Sequence, residues 1–361
     1  MEQFDVAIVG AGPAGSTCAA FCARAGLRTL LLEREKFPRE KVCGDCLNPA
    51  CWPVLRRLEV FERVRALPHG YLERVEFIAI DGRKVHVDLV RGDESEIAVK
   101  RSLFDNLLLE RARELGAEVR EESTLISLVP SSGTWKIDTD RGENFSARFL
   151  VAADGRNSTV ARLRSLLPRS ARERVALQSH IPLPRDFGNR IVLQFLPEGY
   201  SGQAPVNDHE LNLCLVAKPG DIDALKNWAL KEFEIAPEHS WRTITPLTRS
   251  AISPIHENLF LIGDAARVVE PFTGEGIYYA LRSGELAANA IAKIIRGQDR
   301  HKVLREFARA HSAMYRGRLW INRLARAAVL SPRIASAFVH LAKIQPALLR
   351  FLTAKIVAGT P

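Results

Sequence analysis

Residues 4 to 33 open with the apolar run FDVAIVG, pass through AGPAGSTCAAFCARAG and close on LRTLLLE. A short buried run, a stretch of small residues at helical spacing and a second buried run predict strand, helix and parallel strand, a βαβ unit. Residues 72 to 99 alternate apolar and polar positions with turn residues at Asp81-Gly82 and Arg91-Gly92-Asp93, which predicts antiparallel strands. SLFDNLLLERARELG has helical periodicity ending at Gly116, and Ser102 with Asp105 three residues later has the form of a capping box. The strand AEVRE follows. Leu125 to Val129 and Trp135 to Thr139 flank Ser131-Ser132-Gly133 as a hairpin, and ARFLVAAD is a further strand ending at Asp154. Residues 171 to 255 read as β-rich with one helix near Ile222 to Phe233. NLFLIGD then returns as a buried strand, and nearly everything after Gly276 is helical.

This order predicts an α/β protein whose Rossmann-type domain is assembled from separated segments, 1–70, 100–170 and 256–295. The β-rich insertions, 71–99 and 171–255, form a second domain over it that takes the substrate, and 296–361 form C-terminal helices. A chain of 361 residues, 47% hydrophobic and 26% charged, has material for a core of that size. No run of eighteen apolar residues occurs, which argues against a membrane-spanning helix. Six scattered cysteines without a secretory leader point to reduced thiols and a cytoplasmic protein.

The formal charge of +9 is concentrated at one end, where residues 296–361 carry thirteen Lys and Arg against Asp299 and Glu306. There Trp, Phe, Leu and Ile interleave with the basic residues, the composition of helices that lie on an anionic membrane surface. That predicts a peripheral position on the inner face of the membrane. Helices capping the second domain would show the same composition. No nucleic-acid motif accompanies the charge, so nucleic acid is not an expected partner.

Gly10-Ala11-Gly12-Pro13-Ala14-Gly15 is G-x-G-x-x-G between a strand and a helix. Gly10 permits the tight turn, Gly12 lets the backbone approach a pyrophosphate, and Gly15 lets helix and strand close up. Glu33, 18 residues after Gly15 at the end of the second strand, suits a ribose hydroxyl. Asp154-Gly155 and Gly263-Asp264 end further strands, and the glycines of PFTGEG bring backbone N–H groups toward a flat ring. Amides so placed stabilise negative charge on a reduced flavin, and a nicotinamide enzyme needs no such distal pair, so the dinucleotide is read as FAD.

These residues together with VKRSLFDNLLLERA, ADGRNSTVAR and GDAARVVEPFTGEGIYYALRSG resemble the FAD-dependent oxidoreductases of the para-hydroxybenzoate hydroxylase superfamily, in particular its geranylgeranyl reductase branch. The resemblance covers most of residues 1 to 295. It implies that Ala14 and Gly15 lie under the pyrophosphate, Glu33 on the adenosine ribose, and Arg101 on the phosphates or ribityl chain. It places the Leu125 backbone beside the adenine, Asp264 on the ribityl chain, and the Gly276 and Ile277 amides at the pyrimidine edge of the flavin. Asp154 and Gly155 match an Asp-Gly pair tied to FAD and NAD(P)H use, with NAD(P)H as electron donor. Cys43 and Gly44, in KVCGDC, match a segment that passes beside the isoalloxazine ring, where the Cys43 thiol could give a proton to a substrate carbon.

Two departures qualify it. Cys46 stands where the branch has a small residue, and EGYSGQAPVNDHELNLCLVAKP keeps Gly199 and Tyr200 but lacks the Trp and Phe of an aromatic lipid-lining strand. The expected reaction is therefore NAD(P)H-driven reduction of a carbon–carbon double bond in a lipophilic substrate, isoprenoid-like or polyketide. A monooxygenase acting on an aromatic or polyketide ring is the alternative. A third reading makes Cys43 and Cys46 a redox dithiol beside the flavin. Zinc is not expected, because Cys43, Cys46 and Cys51 lack a fourth ligand at a recognisable spacing.

Overall fold

A computed structural model describes residues 1–168, 174–271 and 274–316. Most of the basic C-terminal segment, from 317 on, lies outside the described residues. Among the described residues no helix is long and apolar enough to cross a membrane.

An eight-stranded sheet carries the strand order expected of a doubly wound fold. Glu2–Val9 lies at its centre, parallel to Thr29–Leu32 on one side and to Asn144–Ala152 on the other. Glu118–Arg120 extends it beyond Thr29–Leu32, and Leu259–Leu261 pairs with Asn144–Ala152, again in parallel. The strands at its centre are buried on both faces, hence the near-continuous apolar runs of VAIV and TLLL. The hairpin Leu125–Ser131 and Thr134–Thr139 joins through an antiparallel pairing to Asn144–Ala152.

Two helices pack together on one face. Pro13–Arg24 is lined with Ala, Gly, Ser, Thr and Cys, and the helix Gly276–Ile295 crosses it at Gly284. A Cβ at Gly284 would lie 2.4 Å from the Ala14 carbonyl oxygen, so only glycine lets the two backbones come this close. Cys18 and Cys22 are wholly buried and serve as small core residues.

The second sheet has seven strands, in the spatial order Arg242–Ile244, Val175–Pro182, Glu210–Ala217, Gly199–Pro205, Arg190–Leu196, Arg74–Ile78 and Lys84–Asp88. Its strands come from both predicted insertions. One face packs Leu177, Ile181, Leu211, Leu213 and Leu215 against the helix Ile222–Glu232. The opposite face carries Tyr200, Phe195, Val216 and Ala176. A small third sheet pairs Cys46–Leu47 and Gly70–Tyr71 with Ile97–Ala98, and it holds the segment after Cys43 in place.

One local expectation fails. The helix Arg101–Glu114 begins one residue before Ser102, its N-cap is Lys100, and no side chain caps it. Asp105 accepts instead from Arg101 and Arg39, at 2.7 and 3.1 Å, because a buried carboxylate is better satisfied by two guanidinium groups than by one backbone amide.

Candidate functional site

The glycine turn is set by contacts that leave no room for side chains. Gly10 has φ of +98°, and a Cβ there would meet the Ala153 carbonyl at 2.7 Å; one on Gly15 would meet the Gly10 carbonyl at 1.8 Å. At Gly12 the nearest atom to such a Cβ is an Arg39 nitrogen at 3.7 Å, so that side of the turn is open. The helix beginning at Pro13 has no side-chain cap, which leaves the first-turn amides of Ala14 and Gly15 without acceptors in the helix.

Glu33 follows the last residue of Thr29–Leu32 and is buried. Its Oε2 accepts from the Ala11 amide at 2.8 Å and its Oε1 from the Glu35 amide at 3.0 Å, so the carboxylate splints the turn and keeps lone pairs for a further donor. The Ser123 amide donates to the Glu33 carbonyl at 2.8 Å, which brings Leu125 to the same end of the sheet.

Asp154 lies over Gly10, and Gly155 beyond it takes a positive φ of +83°. Asp154 Oδ2 accepts from the Val160 amide at 3.1 Å, while Oδ1 is buried without a partner. Burial raises the Asp154 carboxyl, against hydrogen bonds from Ser158 and the Val160 amide. Asp264 lies in the turn Gly263–Ala265 and accepts from Arg156 at 3.1 Å. Gly263 approaches Ala14 closely, and its amide donates to Ser283 Oγ at 2.9 Å, so Asp264 is anchored beside the cradle helix. Gly276 and Ile277 are the first two residues of Gly276–Ile295, an uncapped helix start with open space around Gly276.

The half-buried Cys43 lies on the loop that faces the second sheet. Its carbonyl accepts from Asn212 Nδ2 at 2.8 Å and from the Cys214 thiol at 3.2 Å. Burial raises the thiol, opposed by the Arg101 guanidinium and the Asp45 amide nearby. Arg101 is committed to Asp105 by two bonds of 2.7 Å. Cys46 donates its thiol to the Gly44 carbonyl at 3.3 Å, and burial raises it well above an ordinary thiol. Gly44 is exposed, with nothing near its Cα.

Several residues of this site carried no signal in the sequence. Arg39, Lys41 and Arg156 converge on the predicted Arg101, and burial together with the three guanidinium groups lowers Lys41 to about 8. Asp45, held at φ of +61°, bonds His180 of the second sheet at 2.7 Å. Gln178, Asn212 and Cys214 join that contact. Only alternation along two strands of unknown pairing could have suggested these three, and alternation does not say which face meets the loop.

The arrangement fits a dinucleotide with an anionic centre and a flat ring: unpartnered first-turn amides, a cationic cluster beside them, and open space next to each of glycines 44, 155 and 276. Comparison with known proteins agrees. The family model described as FAD binding domain matches residues 3–180 and 223–316. Menaquinone reductase of Mycolicibacterium smegmatis is 29% identical over 315 residues, covering 79% of this chain and 75% of that protein. Digeranylgeranylglycerophospholipid reductase of Methanocella arvoryzae is 30% identical over 322 residues, 82% of this chain and 80% of that one. Among solved structures, the myxobacterial chondrochloren halogenase CndH, an FAD-dependent halogenase, superposes with a TM-score of 0.78 at 23% identity, over 100% of this chain and 94% of that chain.

Proposed function

Because the chain belongs to the FAD binding domain family and is an FAD-dependent oxidoreductase, we propose that it reduces a carbon–carbon double bond of a lipophilic substrate with electrons from NAD(P)H. The observation that carries this reading is Cys43: a raised, half-buried thiol on the loop between the cradle and the apolar face of the second sheet. The two reductases named above support it.

The amides of Ala14, Gly15, Gly276 and Ile277 together with Glu33 and Asp264 would hold FAD, which would supply two-electron redox chemistry when bound. The chain does the rest. Saturating a double bond adds two electrons and two protons, and Cys43 Sγ gives one of those protons to carbon. Burial keeps the thiol protonated at neutral pH, as a donor requires. The thiolate left behind faces the Arg101 guanidinium and the Asp45 amide, and it recovers its proton from solvent. Tyr200, Phe195, Val216 and Ala176 keep water from the reacting carbons.

A second reading, oxygen insertion into a ring, is favoured by the strand Gly199–Pro205. Gly202 and Ala204 follow Tyr200 on its face of the strand, and small residues suit a compact ring better than a long prenyl chain. The test is to reduce the purified protein with NADPH, supply isoprenoid and polyketide candidates with and without oxygen, and weigh the products. A gain of two hydrogens without oxygen is expected, with Cys43→Ser slower by about a hundredfold or more at unchanged flavin content. A gain of one oxygen selects the monooxygenase, and full activity of Cys43→Ser removes the thiol from the reaction.

A further inference from the structure

The face of the second sheet toward Cys43 changes character along its strands. Pairing registers give a row Ala176, Val216, Tyr200 and Phe195, which is apolar. The next row is Gln178, Cys214, Gly202, Leu193 and Phe77, and the one after begins His180, Asn212 and Ala204. One edge of the face is therefore polar, and it abuts the Cys43 loop. Gly202 leaves a gap in the middle row: a Cβ there would touch only Leu193, at 3.6 Å. Gly202, Cys214 and Cys43 are all partly exposed, so the gap opens to solvent.

The hydrogen bonds at this edge have a fixed direction. A carbonyl only accepts, so Asn212 must turn Nδ2 to the Cys43 oxygen, at 2.8 Å. That leaves Asn212 Oδ1 for Gln178, whose Nε2 donates to it at 3.0 Å. Gln178 Oε1 is then an acceptor, and it has no partner although the residue is 0% exposed. Asp45 ends the same way. Its Oδ2 is taken by His180 at 2.7 Å, while Oδ1 is unpartnered in a residue 1% exposed. Gln178 Nε2 lies 3.3 Å from the His180 nitrogen that meets Asp45, so the two side chains that carry the spare acceptors meet one imidazole. Two unsatisfied buried acceptors on neighbouring side chains are costly, and a donor that reaches them removes the cost.

We propose that this edge is a headgroup subsite, where Gln178 Oε1 and Asp45 Oδ1 receive a hydroxyl or N–H group of the substrate and the apolar row receives its body. The inference rests on the substrate reading above and narrows it: the substrate is an apolar molecule ending in a hydrogen-bond donor, such as an alcohol or a phenol. An acceptor-only head such as a quinone carbonyl would face two oxygens and be rejected.

The test is binding, not turnover. The oxidised, FAD-loaded full chain is titrated with 2-methyl-1-naphthol and with its methyl ether, read by calorimetry and by the shift of the flavin absorption band. The naphthol is expected to bind at least about tenfold more tightly, and Gln178→Leu should bring the ratio near one. Equal affinity, no binding of either probe, or a ratio unchanged in Gln178→Leu overturns the subsite. The wild-type ratio stands even if the variant does not fold. A protein that reduces double bonds yet shows no preference keeps its proposed function and loses the subsite; one that inserts oxygen but prefers the naphthol does the reverse.

Discussion

At the scale of single residues, buried acids without a cationic neighbour record what the fold costs. Glu96 is buried beside Cys46 and Cys51, and burial alone raises its carboxyl from 4.5 to about 7. An acid whose folded pKa exceeds its unfolded value stabilises fully below the unfolded pKa, and that stability is lost as pH rises through the folded one. Glu96→Gln should therefore be nearly neutral at pH 4 and stabilise the protein at pH 8.5 by up to about 3 kcal/mol, because a tenfold change in proton affinity is worth about 1.4 kcal/mol. Asp45 and Asp154 are raised in the same direction, so wild-type stability alone does not isolate Glu96. Urea unfolding of both proteins at the two pH values does, and an identical gain at both would remove the ionisation from the explanation.

At the scale of elements, the crossing of Pro13–Arg24 and Gly276–Ile295 sets where the cradle amides lie. A methyl at Gly284 would press on the Ala14 carbonyl and, at 3.1 Å, on the Cys18 nitrogen, neither of which can turn aside. Gly284→Ala is expected to push the helices apart at a cost of about 1–3 kcal/mol, lowering Tm and weakening FAD binding roughly tenfold. Flavin fluorescence against added FAD measures this, and wild-type affinity would show that the cradle tolerates the shift. The βαβ unit, the Asp81-Gly82 hairpin, the helix near 222 and the late buried strand were legible in the sequence because each is written in local periodicity and turn residues. The ends of helices were less so: Ser102 and Asp105 have the spacing of a cap, but Arg39, 66 residues away, competes for the carboxylate. The glycine turn, Asp264 and Cys43 could be picked out by motif. His180, Gln178 and Asn212 could not, since their chemistry exists only once the second sheet meets the Cys43 loop.

At the scale of the whole molecule, polar contacts join the two parts built around the large sheets. Arg174, at the edge of strand Val175–Pro182, forms a two-pronged pair with Glu270, at 3.0 and 2.7 Å, with both side chains about 3% exposed or less. Arg156 and Asn157 reach the carbonyls of Pro246 and Thr245, and Arg249 reaches that of Asp264. Removing one member of a buried pair strands the other charge, so Arg174→Met should cost about 3–5 kcal/mol, and adding Glu270→Met should recover most of it. Thermal melts of the single and double variants check this; additive losses would mean that the pair does not act as a unit. The discontinuous course of the chain also bears on its synthesis. The helix Pro13–Arg24 is made well before the helix that covers it, which is completed only at Ile295. At about 5–20 residues per second the uncovered face waits on the order of tens of seconds on the ribosome. Its Ala, Cys and Phe side chains stay uncovered on the nascent chain until the helix ending at Ile295 has emerged.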